Sequence, residues 1–372
     1  MKLLCMYLPQ FHETEDNNRW WGKGFTDWVA VKKAVNYSPK QHLPRVPLNQ
    51  NYYDLSDEDA VTLKWQAEIA NKYGIYGFCI YHYWFSGKRE LEKPVEILRK
   101  HKEIQIHYCL CWDNNTWTRT WFIDPEREKE VLIQQDYGDE KIWTKHFMDI
   151  LPDFQDERYI KIDNKPVFHI YHARKIDCLK EMRECFDRLA KEYGFNGIYL
   201  VVSDIENRND ADFGKCIDAY YNYEPVHAYH INLNRYYGMK SILCGAIKKR
   251  INKYFHTHFL PYVRDARGIY KCIVKDKNRS AKKTYYGMFA DYDDTPRRGD
   301  IGIVYANNSV QLFEKALRCQ IHKSIAENNE FLYITAWNEW GESAYLEPDE
   351  QNGYNYLECI RRVLQEEILS GN

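Results

Sequence analysis

Two glutamates, Glu339 and Glu342, stand where the apolar run Phe331-Leu-Tyr-Ile-Thr-Ala336 gives way to Trp337-Asn-Glu-Trp-Gly-Glu342. Glycosidic cleavage uses such a pair: one carboxyl protonates the leaving oxygen while a second carboxylate assists at the sugar as an oxocarbenium-like transition state develops. Neighbouring acids also push their proton affinities apart, so one of them can stay protonated near neutral pH. The same spacing suits a helix N-terminus, where acids meet the positive end of the dipole. The flanking Trp337, Asn338 and Trp340 favour the chemical reading, because ring faces stack on sugars and an amide bonds their hydroxyls.

Further polar and aromatic clusters fall at the ends of other apolar runs. Trp112, Asp113, Asn114 and Trp117 follow one run, and Tyr83 with Trp84 close another. Tyr7 lies at the end of the first run, His12 and Trp21 belong to the long connection after it, and His172 ends a further strand-like run. All are candidate sugar contacts, although an Asx-rich turn explains Asp113 and Asn114 equally well. In Tyr81-His-Tyr-Trp84, strand alternation turns Tyr81 and Tyr83 one way and His82 and Trp84 the other, so one set is core. Asp291-Tyr-Asp293 matches the acidic pattern with which nucleotide-sugar transferases hold a metal, but no nucleotide-binding half accompanies it. Cys109-Leu-Cys111 lacks the spacing and second ligand pair of a zinc site. No metal and no cofactor are expected.

These groups need a scaffold that gathers strand ends. Strand-like runs are expected over Leu3 to Leu8, Tyr76 to Trp84, Ile104 to Trp112, Val167 to His172, Ile198 to Ser203, Ala219 to Tyr223, Gly287 to Tyr292 and Leu332 to Trp337. Helical stretches lie between them, the first over Asp57 to Tyr73 with Ser56 as N-cap. Eight strands alternating with helices predict an α/β fold, a (β/α)₈ TIM-type barrel with long aromatic-rich loops after the strands. An open doubly wound sheet would want a Gly-rich phosphate turn after its first strand, where Tyr7-Leu-Pro-Gln-Phe-His12 stands instead. The reading is one barrel domain over residues 1 to 372, with a basic insertion at about 224 to 285.

The chain carries 31 Tyr, 11 Trp and 16 Phe, material for sugar platforms or for a ring-rich core. Its eleven cysteines fall largely in apolar runs and read as reduced thiols. The apolar opening Leu3 to Leu8 is broken by Pro9, too short for a signal-peptide core, so a cytoplasmic location is expected. A net charge of -2 hides a bias: Lys240 to Tyr285 holds thirteen Lys or Arg against Asp265 and Asp276. Ile242, Leu243, Ile247, Ile251, Tyr254 and Phe255 recur there at helical spacing. A basic amphipathic helix of this kind meets anionic membrane at its periphery or simply packs on the barrel. No recognition motif supports nucleic acid; the expected partner is a glycan.

Several motifs in order carry a resemblance: Tyr7-Leu-Pro-Gln-Phe-His12, Trp20 to Trp28, Tyr73-Gly-Ile-Tyr-Gly-Phe-Cys79, Tyr83-Trp-Phe-Ser-Gly-Lys88, Cys109-Leu-Cys-Trp112, and Trp337 through Pro348. Together they resemble the WbsX-like glycosyltransferase family, which looks like a relative of glycoside hydrolase family 99, the endo-α-mannosidases. The resemblance implies a (β/α)₈ barrel and a metal-free, configuration-retaining reaction. It also implies separate roles: Glu339 would deprotonate the sugar 2-hydroxyl for internal attack and Glu342 would protonate the leaving oxygen, through a 1,2-anhydro sugar. The family's transferase label points instead to glycosyl transfer in surface polysaccharide assembly. A glycan-binding protein that does not cut is the third reading.

Overall fold

The computed structural model describes residues 1–119, 130–203, 213, 215–230, 247, 250, 251, 254, 262–278, 280–299 and 302–370. Nine strands form the central sheet: β1 (Lys2–Tyr7), β2 (Ile75–Phe85), β3 (His107–Trp112), β4 (Lys165–Ile170), β5 (Tyr199–Ser203), β6 (Ala219–Tyr221), β7 (Lys283–Tyr285), β8 (Gly287–Phe289) and β9 (Phe331–Thr335). Neighbours pair in parallel in that order except β7 with β8, and β1 lies between β2 and β9. Only Tyr286 separates β7 from β8. The first pairs back with β6, Tyr221 beside Tyr285, and the second pairs forward with β9, Gly287 beside Tyr333. The two short strands therefore share the seventh of eight positions, and the ring expected from the sequence closes with a kink there. Glycine is needed at the kink, since a Cβ on Gly287 would collide with the Asn222 carbonyl oxygen.

Parallel strands covered on both faces must be apolar nearly throughout, and β3, β4 and β9 are buried at almost every residue. The covering helices include α1 (Glu15–Trp21), α2 (Asp27–Lys33), α3 (Val61–Lys72), α4 (Lys93–Lys100), α5 (Glu140–Phe154), α6 (Leu179–Glu192), α7 (Ala266–Lys275), α8 (Thr295–Arg298), α9 (Val310–Ala326) and α10 (Asn355–Ser370). In α6 the buried Leu179, Met182, Cys185, Phe186 and Leu189 follow the helical period. Each such side chain stabilises the fold by about 1.5–3 kcal/mol. Asp139 caps α5 through the Lys141 and Ile142 amides, and Ser309 caps α9 through Leu312.

The sequence and the structure differ in two places. α3 begins at Val61, because Asp57 takes the Val61 amide at 3.0 Å while the Ser56 hydroxyl turns back to Asp54. The stretch read as an insertion contributes β7 and α7 to the barrel, α7 burying Ile269, Tyr270 and Ile273. The expected basic helix lies outside the described residues except for Ile247, Arg250, Ile251 and Tyr254, whose side chains are exposed. Among the described residues no helix is long and apolar enough to cross a membrane. The ten described cysteines are free of disulfides.

Candidate active site

A cavity of about 470 Å³ opens at the C-terminal ends of the strands. Six of the strands contribute a residue at or near their ends: Leu8 after β1, Tyr83 on β2, Asp113 after β3, Tyr171 after β4, Tyr223 after β6 and Glu339 after β9. This is the face on which barrel loops build their sites. The loop beyond β9 is held in shape by short pairing of Asn338–Glu339 with Ala344–Tyr345, around a tight turn at Trp340–Glu342. Asn338 clamps that loop to the end of β1, its side chain accepting from the Leu8 amide at 2.8 Å and donating to the Leu8 carbonyl at 2.9 Å.

One guanidinium organises the cavity's acids. From α8, Arg297 meets Glu339 at 2.6 Å, Glu342 at 3.0 Å and Asp27 of α2 at 2.8 Å. Burial works against the charge on Arg297, but the three surrounding carboxylates raise its pKa further. Burial also raises the pKa of Glu339 well above the ordinary carboxyl value; Arg297 opposes this, while Glu342 and Asp27 reinforce it. Asp27 is raised by burial in the same way, with Arg297 in opposition. Glu339 is nearly sealed and Glu342 is more open, with side-chain exposures of 5% and 18%. The cavity thus holds one acid biased toward accepting and retaining a proton, beside a second acid that a ligand can reach. Around them stand neutral phenols: burial raises the Tyr81, Tyr171 and Tyr223 hydroxyls above their ordinary pKa, leaving them as donors to sugar oxygens. Asp113, pushed up to about 6 by burial, is a further acceptor.

Of the residues singled out in the sequence, Glu339, Glu342, Trp21, Tyr83, Asp113 and Trp117 line this cavity. Trp117 packs edge-on against Tyr83 at 5.2 Å, and Arg119 lies over the Trp21 ring at 4.8 Å. The remaining candidates face elsewhere. Trp84 stacks on His146 of α5 and donates to Asp149, and Trp112 packs edge-on against the same His146. The alternation on β2 thus resolves with Tyr81 and Tyr83 inward and His82 and Trp84 toward α5. Tyr7 donates to Gln66 of α3. His12 is buried against the Glu13 carbonyl. Asn114 bonds the His172 backbone and Tyr137, and His172 sits beside that contact, outside the cavity lining. Trp337 is buried against Phe78, Asn338 is the clamp already described, and Trp340 stacks on Tyr345 at 3.7 Å. These nine shape the cavity's supports instead of its surface.

Sequence reasoning missed Asp27, Arg297, Tyr171 and Tyr223. For the two tyrosines the signal existed: counting by twos along β4 and β6 extends the inward face past the strand end. For Arg297 the only hint was a basic pair, Arg297-Arg298, behind an acidic run. In that run Asp291 pairs with Arg45 at 2.6 Å, and Asp293 is bonded to Thr295 and Gln41.

Comparison with known proteins bears on the fold and the family. Two strains of Xanthomonas campestris pv. campestris have a protein WxcX that is 28% identical over 368 residues. The match takes in 97% of this chain and 49% of WxcX, so the chain spans about half the length of these relatives. Among solved structures, the family 99 endo-α-mannosidase of Bacteroides thetaiotaomicron superposes with a TM-score of 0.59 at 12% identity, covering 100% of this chain and 98% of that one. A glycoside hydrolase-like protein superposes at 0.58 with 13% identity, covering 97% and 93%. At such identities these likenesses establish the shared barrel. The family model described as glycosyltransferase WbsX matches residues 3–360, and the chain belongs to that family of carbohydrate-active enzymes.

Proposed function

We propose that the protein acts on glycosidic bonds of a polysaccharide or its precursor, with Glu339 and Glu342 as the reacting carboxyl pair. The observation that carries the reading is the shared Arg297 contact, which holds the two acids side by side on the wall of an aromatic cavity. Glu339 takes the proton of the sugar 2-hydroxyl; the freed oxygen attacks the anomeric carbon as Glu342 protonates the departing glycosidic oxygen. A 1,2-anhydro sugar results. In the second half Glu342 takes a proton from the incoming hydroxyl, which attacks the anomeric carbon, and Glu339 returns its proton to the 2-oxygen. Two displacements retain the configuration. The Arg297 contact supports Glu339 as the base, because the guanidinium opposes burial and favours the charged, proton-accepting form.

The incoming hydroxyl belongs to water in hydrolysis and to another sugar in transfer. The family's transferase description favours the second, and the same pair serves both. The test incubates wild type and Glu342→Gln with α-linked mannosides and bacterial surface oligosaccharides, reading products by mass spectrometry. Loss of about 10²–10⁴-fold in turnover, with folding intact, is expected where a positioned acid is removed. Unchanged turnover on a substrate that wild type converts would overturn the assignment. A released reducing sugar identifies hydrolysis, a lengthened acceptor identifies transfer, and binding without product would reduce the protein to a glycan receptor.

A further inference from the structure

Beneath the cavity floor the barrel encloses a group of side chains that the proposed reaction does not use. Strand register sets Cys79 of β2 beside Cys109 of β3, and Cys111 of β3 beside His169 of β4. All four are at most 1% exposed. The Cys79 and Cys109 sulfurs lie 3.5 and 3.8 Å from His169 Nδ1. The three donor atoms all fall within 4.8 Å of one another, the one such convergence of His, Cys or acidic groups among the described residues. Cys111 lies on the same face of β3, two residues beyond Cys109.

Tetrahedral zinc takes sulfur at about 2.3 Å and imidazole nitrogen at about 2.0–2.1 Å, so the nitrogen-to-sulfur edge of its coordination shell is about 3.6 Å. The two distances to His169 bracket that value. Metal-binding histidines also hold their second ring nitrogen in a hydrogen bond that fixes the ring; His169 Nε2 meets the Tyr333 hydroxyl of β9 at 2.8 Å. Thiolate and imidazole donors together select zinc over hard cations. Local spacing in the sequence could not reveal such a site, because its donors come from three adjacent strands and Cys109-Leu-Cys111 supplies only part of it.

We propose that Cys79, Cys109 and His169 bind a structural Zn²⁺ inside the barrel, with Cys111, which pairs in register with His169, as the candidate fourth donor. Binding converts the ligating thiols to thiolates and releases their protons, so uptake is linked to pH and, at a site this enclosed, to folding. The ion would tie β2, β3 and β4 together directly under Tyr81 and Tyr171, two residues of the cavity.

The full chain is expressed without a histidine tag in zinc-supplemented medium, and its metal is measured by mass spectrometry after gel filtration. About one zinc per chain is expected. Refolding with Co²⁺ in place of zinc should give the visible d–d bands of a tetrahedral ion and a thiolate charge-transfer band in the near ultraviolet. Cys109→Ser and His169→Ala should lose the zinc, and Glu342→Gln should keep it. Should the first two fail to fold, the cobalt spectrum of wild type still decides. A folded wild-type chain with substoichiometric zinc and no thiolate band overturns the site, as does zinc that survives both substitutions in folded protein.

Discussion

Glu339 and Glu347 are equally buried, each 3% exposed, yet their surroundings differ in kind. Glu347 is ringed by neutral donors, Trp340 Nε1 at 2.6 Å, Gln66 Nε2 at 2.7 Å and the Tyr53 hydroxyl at 2.9 Å, and it lines no part of the cavity. Glu339 faces the cavity and shares Arg297 with Asp27 and Glu342. Burial raises the proton affinity of both. A perturbed carboxyl is therefore a poor guide to function by itself. What separates the two is access to a ligand and a charge network that persists when one acid changes its protonation. Glu347 has its lone pairs committed to three elements of the fold and serves as a joint between α3, the first loop and the loop beyond β9.

The widest separation between the two acids should come from Glu339→Gln. Removing the proposed base is expected to lower kcat/KM by about 10³-fold or more on a substrate that wild type converts. Stability should move by less than about 1 kcal/mol, because Arg297 keeps Asp27 and Glu342 and no charge is left buried alone. Product formation and urea unfolding measure the two. A variant that keeps its activity but unfolds several kcal/mol more easily would exchange the roles assigned to Glu339 and Glu347.

Glu347→Ala should do the reverse. It strands three buried donors at once, and each unmet donor costs about 1–3 kcal/mol. A loss of roughly 3–5 kcal/mol in urea unfolding is expected once partial relaxation is allowed for. Stability within experimental error of wild type would show that the joint carries no weight.

The contrast also explains what could be read from the sequence. Apolar runs with regular spacing exposed all eight strand positions, because a strand covered on both faces has no alternative composition. The break at Tyr286 was not visible, since it depends on how closely Gly287 approaches Asn222. At the candidate site, Trp21, Tyr83, Asp113 and Trp117 were legible as aromatic and polar residues at strand ends. Trp84 and Trp112 looked the same but sit one residue out of phase, and a single step along a strand exchanges cavity for helix packing. Arg297 and Asp27 come from α8 and α2, far apart in sequence, and only the closed ring brings them to the glutamates.

The smallest expected effect tests the joint through pH. Burial pushes Glu347 up to about 7 in the folded chain from an ordinary value of 4.5, even though Trp340, Gln66 and Tyr53 favour the charged form. Between those values the folded state holds a proton that the unfolded state has released, so unfolding free energy falls as pH rises. The cost is absent below about pH 4.5 and complete above about pH 7, reaching on the order of 3 kcal/mol. Glu347→Gln does not titrate. Subtracting its unfolding free energy from that of wild type cancels much of what Asp27, Glu339 and the other acids contribute. The difference, wild type minus variant, should decline steadily across pH 5 to 7 and flatten above. A flat difference would place the Glu347 proton affinity near its ordinary value, and would mean that its three donors stabilise the charged form as fully as water does.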